Sequence, residues 1–145
     1  MLVIVMNFTQ SISTCMRKYV TFSGRATRSE FWWFCLFTIL VNFATISQAS
    51  SFLPVLLEQQ DMTANESSYF LNNFFFLYLS TITSLILLLP SLAVAARRLH
   101  DIGRSGWWIF ISFTVIGIIP LLIWYVTDAK DDENIYGPNP KTEDN

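Results

Sequence analysis

The chain of 145 residues is 52% hydrophobic and only 14% charged, with a mean hydropathy of +0.42. Soluble domains average roughly 25% charged residues, so an ordinary soluble globular fold is excluded, and a 16% aromatic share fits the interfacial belts of a bilayer. The net charge of −2 says less than the way charges are segregated along the chain, and no nucleic-acid partner is expected.

Met1 to Val5 is apolar but too short for the core of a signal peptide, and no basic residue precedes it. From Asn7 to Val20, Phe8, Ile12, Cys15, Met16 and Tyr19 recur at helical spacing among Thr, Gln and Ser. That pattern predicts an amphipathic helix over residues 7–22, lying on a membrane interface. The two cysteines, Cys15 and Cys35, are not expected to form a disulfide. Two thiols and one histidine are also too few for an ordinary protein-only structural zinc site unless carboxylates complete it, and neither metal nor cofactor is expected.

A bilayer core about 30 Å thick needs about 20 mostly apolar residues per spanning helix. Uncharged runs at Phe31–Leu57, Tyr69–Ala96 and Gly106–Thr127 meet that length. They predict an all-α polytopic membrane protein, a single membrane domain with transmembrane helices over residues 29–49, 70–96 and 106–127. The polar run Ser47 to Ser51, followed by Pro54, ends the first helix, so residues 50–57 read as an interfacial or re-entrant piece. The second begins softly at Asn72 and Asn73 and carries Pro90, where tilt or a kink absorbs its length. Its Ser80/Ser84 and Ser91/Ala95 pairs offer small faces for helix packing, within the chain or between copies.

Orientation follows from Lys and Arg in short loops. Arg17, Lys18, Arg25 and Arg28 precede the first run, and Arg97, Arg98 and Arg104 lie between the second and third. The first loop carries Glu58, Asp61 and Glu66 without a basic residue, and the tail mixes Lys130 and Lys141 with acids. The alternation places the N-terminus and the Arg97–Arg104 loop in the cytoplasm, with the acidic loop and the C-terminus outside. The tail, residues 128–145, reads as solvated, with Tyr136-Gly137-Pro138-Asn139-Pro140 favouring turns or extended chain.

The two cytoplasmic junctions are built alike. Phe22 to Phe34 places Gly24-Arg25 ahead of Trp32-Trp33, and Ala96 to Trp108 places Gly103-Arg104 ahead of Trp107-Trp108. Thr27 with Glu30 makes a capping-box pattern for the first span, Gly103 a helix stop, and the Trp pairs interfacial anchors. Arg25, Arg28, Arg97, Arg98 and Arg104 would converge on one face, with Glu30 and Asp101 as the acids among them. Guanidinium forks bind phosphates bidentately. The cluster therefore serves topology and pairing with those acids, or a site for anionic phospholipid headgroups or an acidic partner. His100 beside Asp101 would be the acid–base pair of a headgroup enzyme, but no nucleophile or oxyanion hole accompanies it. A loop histidine facing a headgroup or water is the expected role.

Three ordered motifs carry a resemblance. Tyr19-Val20-Thr21-Phe22-Ser23-Gly24-Arg25-Ala26 leads to Arg28, Glu30 and Trp32. Arg97-Arg98-Leu99-His100-Asp101 and Arg104-Ser105-Gly106-Trp107-Trp108 follow, and Asn134-Ile135-Tyr136-Gly137-Pro138-Asn139-Pro140 closes the set. With these, the chain resembles the bacterial domain of unknown function 805 family, the small YhaH/YhaI-like inner membrane proteins, over about Asn7 to Lys141. The resemblance implies a multi-pass protein of the bacterial inner membrane without an established activity, and it supplies no catalytic residues. Met1 to Val5 reads as an extension before the family's usual start, with Met6 an alternative initiator, and the loop around Glu58 to Ser68 as long. The functional expectation is a non-enzymatic scaffold, regulator or accessory subunit. An oligomeric pore or small transporter is the alternative, motivated by mildly polar spans, although no Asp, Glu, Lys, Arg or His sits at a span centre.

Overall fold

A computed structural model describes residues 6–49, 64–129 and 132–141. The leading residues 1–5 and the expected re-entrant piece 50–57 lie outside the described residues, as do Glu58, Asp61 and Lys130. The chain divides into two compact units, Phe37–Leu88 and the remainder, Met1–Leu36 with Leu89–Asn145.

The first helix, α1 (Phe8–Arg17), is fixed by a capping box on Asn7. Its Oδ1 accepts from the Gln10 amide at 2.9 Å, and its own amide donates to Gln10 Oε1 at 3.1 Å. The helix ends at Arg17 rather than residue 22, because Thr21 N turns back to Lys18 O at 3.1 Å. α2 (Arg28–Ala49) follows, with Glu30 N donating to Thr27 Oγ1 at 3.1 Å, half of the expected capping box. The other half is absent because the Glu30 carboxylate is engaged elsewhere.

α3 (Ala64–Asp101) outruns the expected 70–96 at both ends. Its C-terminus is a Schellman motif, in which Arg104 N bonds Leu99 O and Gly103 N bonds His100 O, both at 2.9 Å. Gly103 has a φ of +73°, a left-handed conformation that costs other L-residues energy. Among the described residues, Phe74–Asp101 is one helix long and apolar enough to cross a membrane by length and composition. Within the unit Phe37–Leu88, Ser84 Oγ donates to Asn42 Oδ1 at 2.6 Å, which joins α2 to α3. Thr45, Thr81 and Thr83 return their hydroxyls to carbonyls of their own helices, so they add no unsatisfied donors.

The segment expected to be one spanning helix over residues 106–127 is instead a hairpin. A 3-10 helix, Gly106–Phe113, runs out, the turn Val115–Gly117 reverses it, and α4 (Ile118–Val126) returns. Trp108 and Trp124 meet edge to face with centroids 5.5 Å apart, and the Arg104 guanidinium lies 4.1 Å from the Trp124 ring centre. A continuous α-helix would separate positions 108 and 124 by about 24 Å. The reversal is written in Thr114, Gly117 and Pro120. Thr114 Oγ1 accepts from Gly117 N at 3.1 Å, while a Cβ at Gly117 would lie 2.1 Å from Ile111 O. Pro120 sits in the first turn of α4, where its missing N–H costs no helical bond.

The tail is likewise not a free solvated segment. β1 (Glu133–Asn134) pairs antiparallel with β2 (Gly137–Pro138), and Asn139 is buried. Asn134 Nδ2 donates to His100 O at 2.9 Å, and Arg25 Nη1 donates to Gly137 O at 3.1 Å. Arg28 Nη1 donates to Val126 O at 3.1 Å. These contacts count against the expectation that the C-terminal segment lies across the membrane from the N-terminal one. Segments in hydrogen-bond contact cannot be separated by a bilayer core about 30 Å thick.

Candidate functional site

The described segment of α1, the start of α2, the end of α3 and the tail meet around a buried ionic network. Arg97, Arg98, Arg25, Glu30 and Asp101 are all at least 95% buried. Helical spacing explains part of this: Arg98 and Asp101 stand three residues apart on α3 and so share a face. Asp101 is the hub. Its Oδ1 accepts from Arg25 Nε at 2.9 Å and its Oδ2 from Arg98 Nη1. Arg98 also donates through Nε to Tyr125 O at 3.1 Å and through Nη2 to Thr127 O, both in the returning arm and its exit. Burial pulls the Arg98 guanidinium down from its ordinary value, while Asp101 pushes it back up.

The second pair is Arg97 with Glu30. Arg97 Nη1 donates to Glu30 Oε1 at 2.6 Å, with side-chain exposures of 1% and 2%. Arg97 O accepts from Ala26 N at 3.0 Å, so backbone as well as side chain ties α3 to the segment before α2. Arg97 Nε and Nη2 are buried without a hydrogen-bond partner among the described residues. Cys15 places its Sγ 3.7 Å from Glu30 Oε1. Burial first, then the Glu30 charge, pushes that thiol up to about 12.

Two of the expected arginines stand outside the network. Arg28 pairs with Asp128 at 2.6 Å, and both side chains are more than 40% exposed. Lys141 also binds Asp128 at 2.7 Å, and that hydrogen bond is the chief reason its carboxyl is held below its ordinary value. Arg104 is exposed and lies over Trp124. The expected single cluster of Arg25, Arg28, Arg97, Arg98 and Arg104 thus divides. The first, third and fourth are buried and spent on carboxylates and carbonyls, because three cations in a low-dielectric interior must be compensated. They present no surface to a headgroup. Trp32, Trp33, Trp107 and Trp108 are all exposed.

His100 lies in the last turn of α3 rather than in a loop facing a headgroup or water, and it does not pair with Asp101. His100 Nδ1 stands 3.2 Å from Gly24 O, an acceptor, which fixes the Nδ1–H tautomer when the ring is neutral. The ring stacks on Tyr136 at 3.9 Å and an interplanar angle of 3°. Burial lowers its pKa from 6.5, partly opposed by the Gly24 bond. Sequence reasoning missed Tyr136, Asn134 and Gly137 as site residues, although their motif was visible. It also missed Tyr125 and Thr127, whose carbonyls act as backbone groups and leave no side-chain signal.

A family model described as "Protein of unknown function (DUF805)" matches residues 19–138. The "Inner membrane protein YhaI" of Escherichia coli (strain K12) is 36% identical over 127 residues, which cover 87% of this chain and 91% of that protein. The "Inner membrane protein YhaH" of the same strain is 33% identical over 129 residues, covering 88% and 93% respectively. No solved structure matches the chain.

Proposed function

Because this chain belongs to the DUF805 family, whose relatives YhaI and YhaH are named inner membrane proteins, we propose that it is a non-enzymatic accessory or scaffold protein of the bacterial inner membrane with a one-sided architecture. The chain leaves the arginine network through α2 and returns to it through α3, so an even number of crossings lies between. Two spans and a re-entrant hairpin then replace three spans. At about 1.5 Å per residue α2 reaches about 33 Å, enough to cross a core about 30 Å thick. Both termini fall on the cytoplasmic side, as do the segments carrying every one of the nine Lys and Arg residues. Positive charge then lies wholly inside, as insertion favours. The three-span arrangement left Lys130 and Lys141 outside.

The observation that carries this reading is the contact of the tail with Arg25, Arg28 and His100 across the network. It makes the arginine motifs a clasp for one cytoplasmic platform and leaves headgroup contact to exposed basic residues. Arg17, Lys18 and Arg104 are exposed, and each such charge near an anionic leaflet contributes on the order of 1 kcal/mol. The test is retention of phosphatidylglycerol by the purified protein, measured by native mass spectrometry. Replacing Arg17, Lys18 and Arg104 together by Gln should remove the retained anionic lipid while the fold persists. Unchanged retention would overturn the headgroup role.

A further inference from the structure

Next to the network, and within the same unit, lies a pocket of about 570 Å³ whose walls include Phe22, His100, Ser105, Trp107, Phe110 and Tyr136. Its size falls in the range of about 300–1,000 Å³ that holds small-molecule ligands. Trp107 is 77% exposed and Phe110 56%, so the apolar rim opens outward from the base of the hairpin. The polar side chains of the lining include His100, Tyr136 and Ser105. We infer that the pocket binds an uncharged amphiphile of the monoacylglycerol class, its hydroxyl donating to His100 Nε2 and its single chain lying along Trp107 and Phe110.

Several observations select this occupant. Among the described residues the lining holds no Lys, Arg, Asp or Glu, and the nearby Arg25 and Arg98 already serve Asp101. A phosphate or carboxylate head would meet no Lys or Arg in the lining itself. His100 Nδ1 is occupied by Gly24 O, which leaves Nε2 of the neutral ring as an acceptor. Gly106 keeps that atom approachable, since a Cβ there would stand 3.3 Å from it. A donor head and an apolar body match such a site, and the surroundings of an inner membrane protein supply single-chain amphiphiles. The inference rests on the membrane setting proposed above, but not on the lipid contacts of Arg17, Lys18 and Arg104.

The test uses the full chain in phosphatidylcholine nanodiscs and a monoacylglycerol carrying a diazirine in its acyl chain. Labelling should be saturable and should map to residues 92–110. Unlabelled monoolein should compete at least about tenfold better than oleate or lysophosphatidylglycerol. His100→Phe, which keeps the ring stack but loses the acceptor, should lower labelling by about tenfold. Leu92→Trp, which adds bulk at a lining position without removing a polar group, should abolish it. Labelling that does not saturate, charged amphiphiles that compete equally, or both variants labelled like the parent would overturn the inference. Recovery of the protein in the nanodisc reports membrane insertion separately, so failure of the pocket and failure of the membrane placement are distinguishable.

Discussion

Removing the charge of Glu30 strikes the network where it has least redundancy. Among the described residues Arg97 Nη1 donates to Glu30 at 2.6 Å, and its Nε and Nη2 have no partner. In Glu30→Gln the guanidinium stays buried, at 1% side-chain exposure, and loses its compensating charge. Breaking one partner of such a pair costs about 3–5 kcal/mol. Taking about 2–4 °C per kcal/mol for a chain of this size, the melting temperature in detergent should fall by about 6–20 °C. The double variant Glu30→Leu with Arg97→Met removes both charges while keeping volume, and should recover most of the loss, since well-packed apolar replacements of buried pairs are often neutral or better. Fluorescence-detected size exclusion after heating measures both. A single variant within about 1 kcal/mol of the parent, or a double variant no more stable than the single, would refute the claim that the pair is buried and mutually dependent.

Further outcomes follow from the same geometry. Gly117→Ala places a Cβ 2.1 Å from Ile111 O and should destabilise by about 1–3 kcal/mol through overpacking, read as a lower melting temperature; a neutral result would argue for a continuous helix over residues 106–127. Cys15 is fully buried with its thiol pushed up to about 12, so at pH 8 it should resist maleimide in the folded protein and react after denaturation. His100 has its pKa lowered from 6.5 in the folded state, so the unfolded chain binds the extra proton first. Stability should hold above pH 6.5 and decline as pH falls below it, measured as melting temperature against pH; His100→Phe, which keeps an aromatic ring against Tyr136 but cannot titrate, should flatten that decline.

Much of the architecture was legible because apolar run length and capping chemistry are local. The starts of α1 and α2, the Thr27 cap and the Gly103 stop all follow from side chains within a few residues of one another. Pairing of the arginines with Glu30 and Asp101 was also readable, because those are the acids within the two junctions. What the residues alone did not reveal is that pairing takes Arg25, Arg97 and Arg98 out of reach of solvent. That depends on contacts spanning 67 residues for Arg97–Glu30 and 76 for Arg25–Asp101. The hairpin was misread for a different reason. A run without charges satisfies the length test for a span whether it crosses or turns back, and Thr114, Gly117 and Pro120 each have roles inside spanning helices. The tail's docking rests largely on backbone carbonyls, notably Gly137 O, which no residue type announces.

The sidedness of the C-terminus is the most direct test of the one-sided architecture. In a variant with Cys15 and Cys35 replaced by Ser, a cysteine introduced as Thr142→Cys, just beyond the docked tail, can be probed with a membrane-impermeant maleimide. Protection in intact spheroplasts and labelling only after permeabilisation would place the tail in the cytoplasm with the N-terminal motif. Labelling of intact spheroplasts, with a cysteine introduced near the N-terminus protected, would contradict the re-entrant hairpin and restore three crossings.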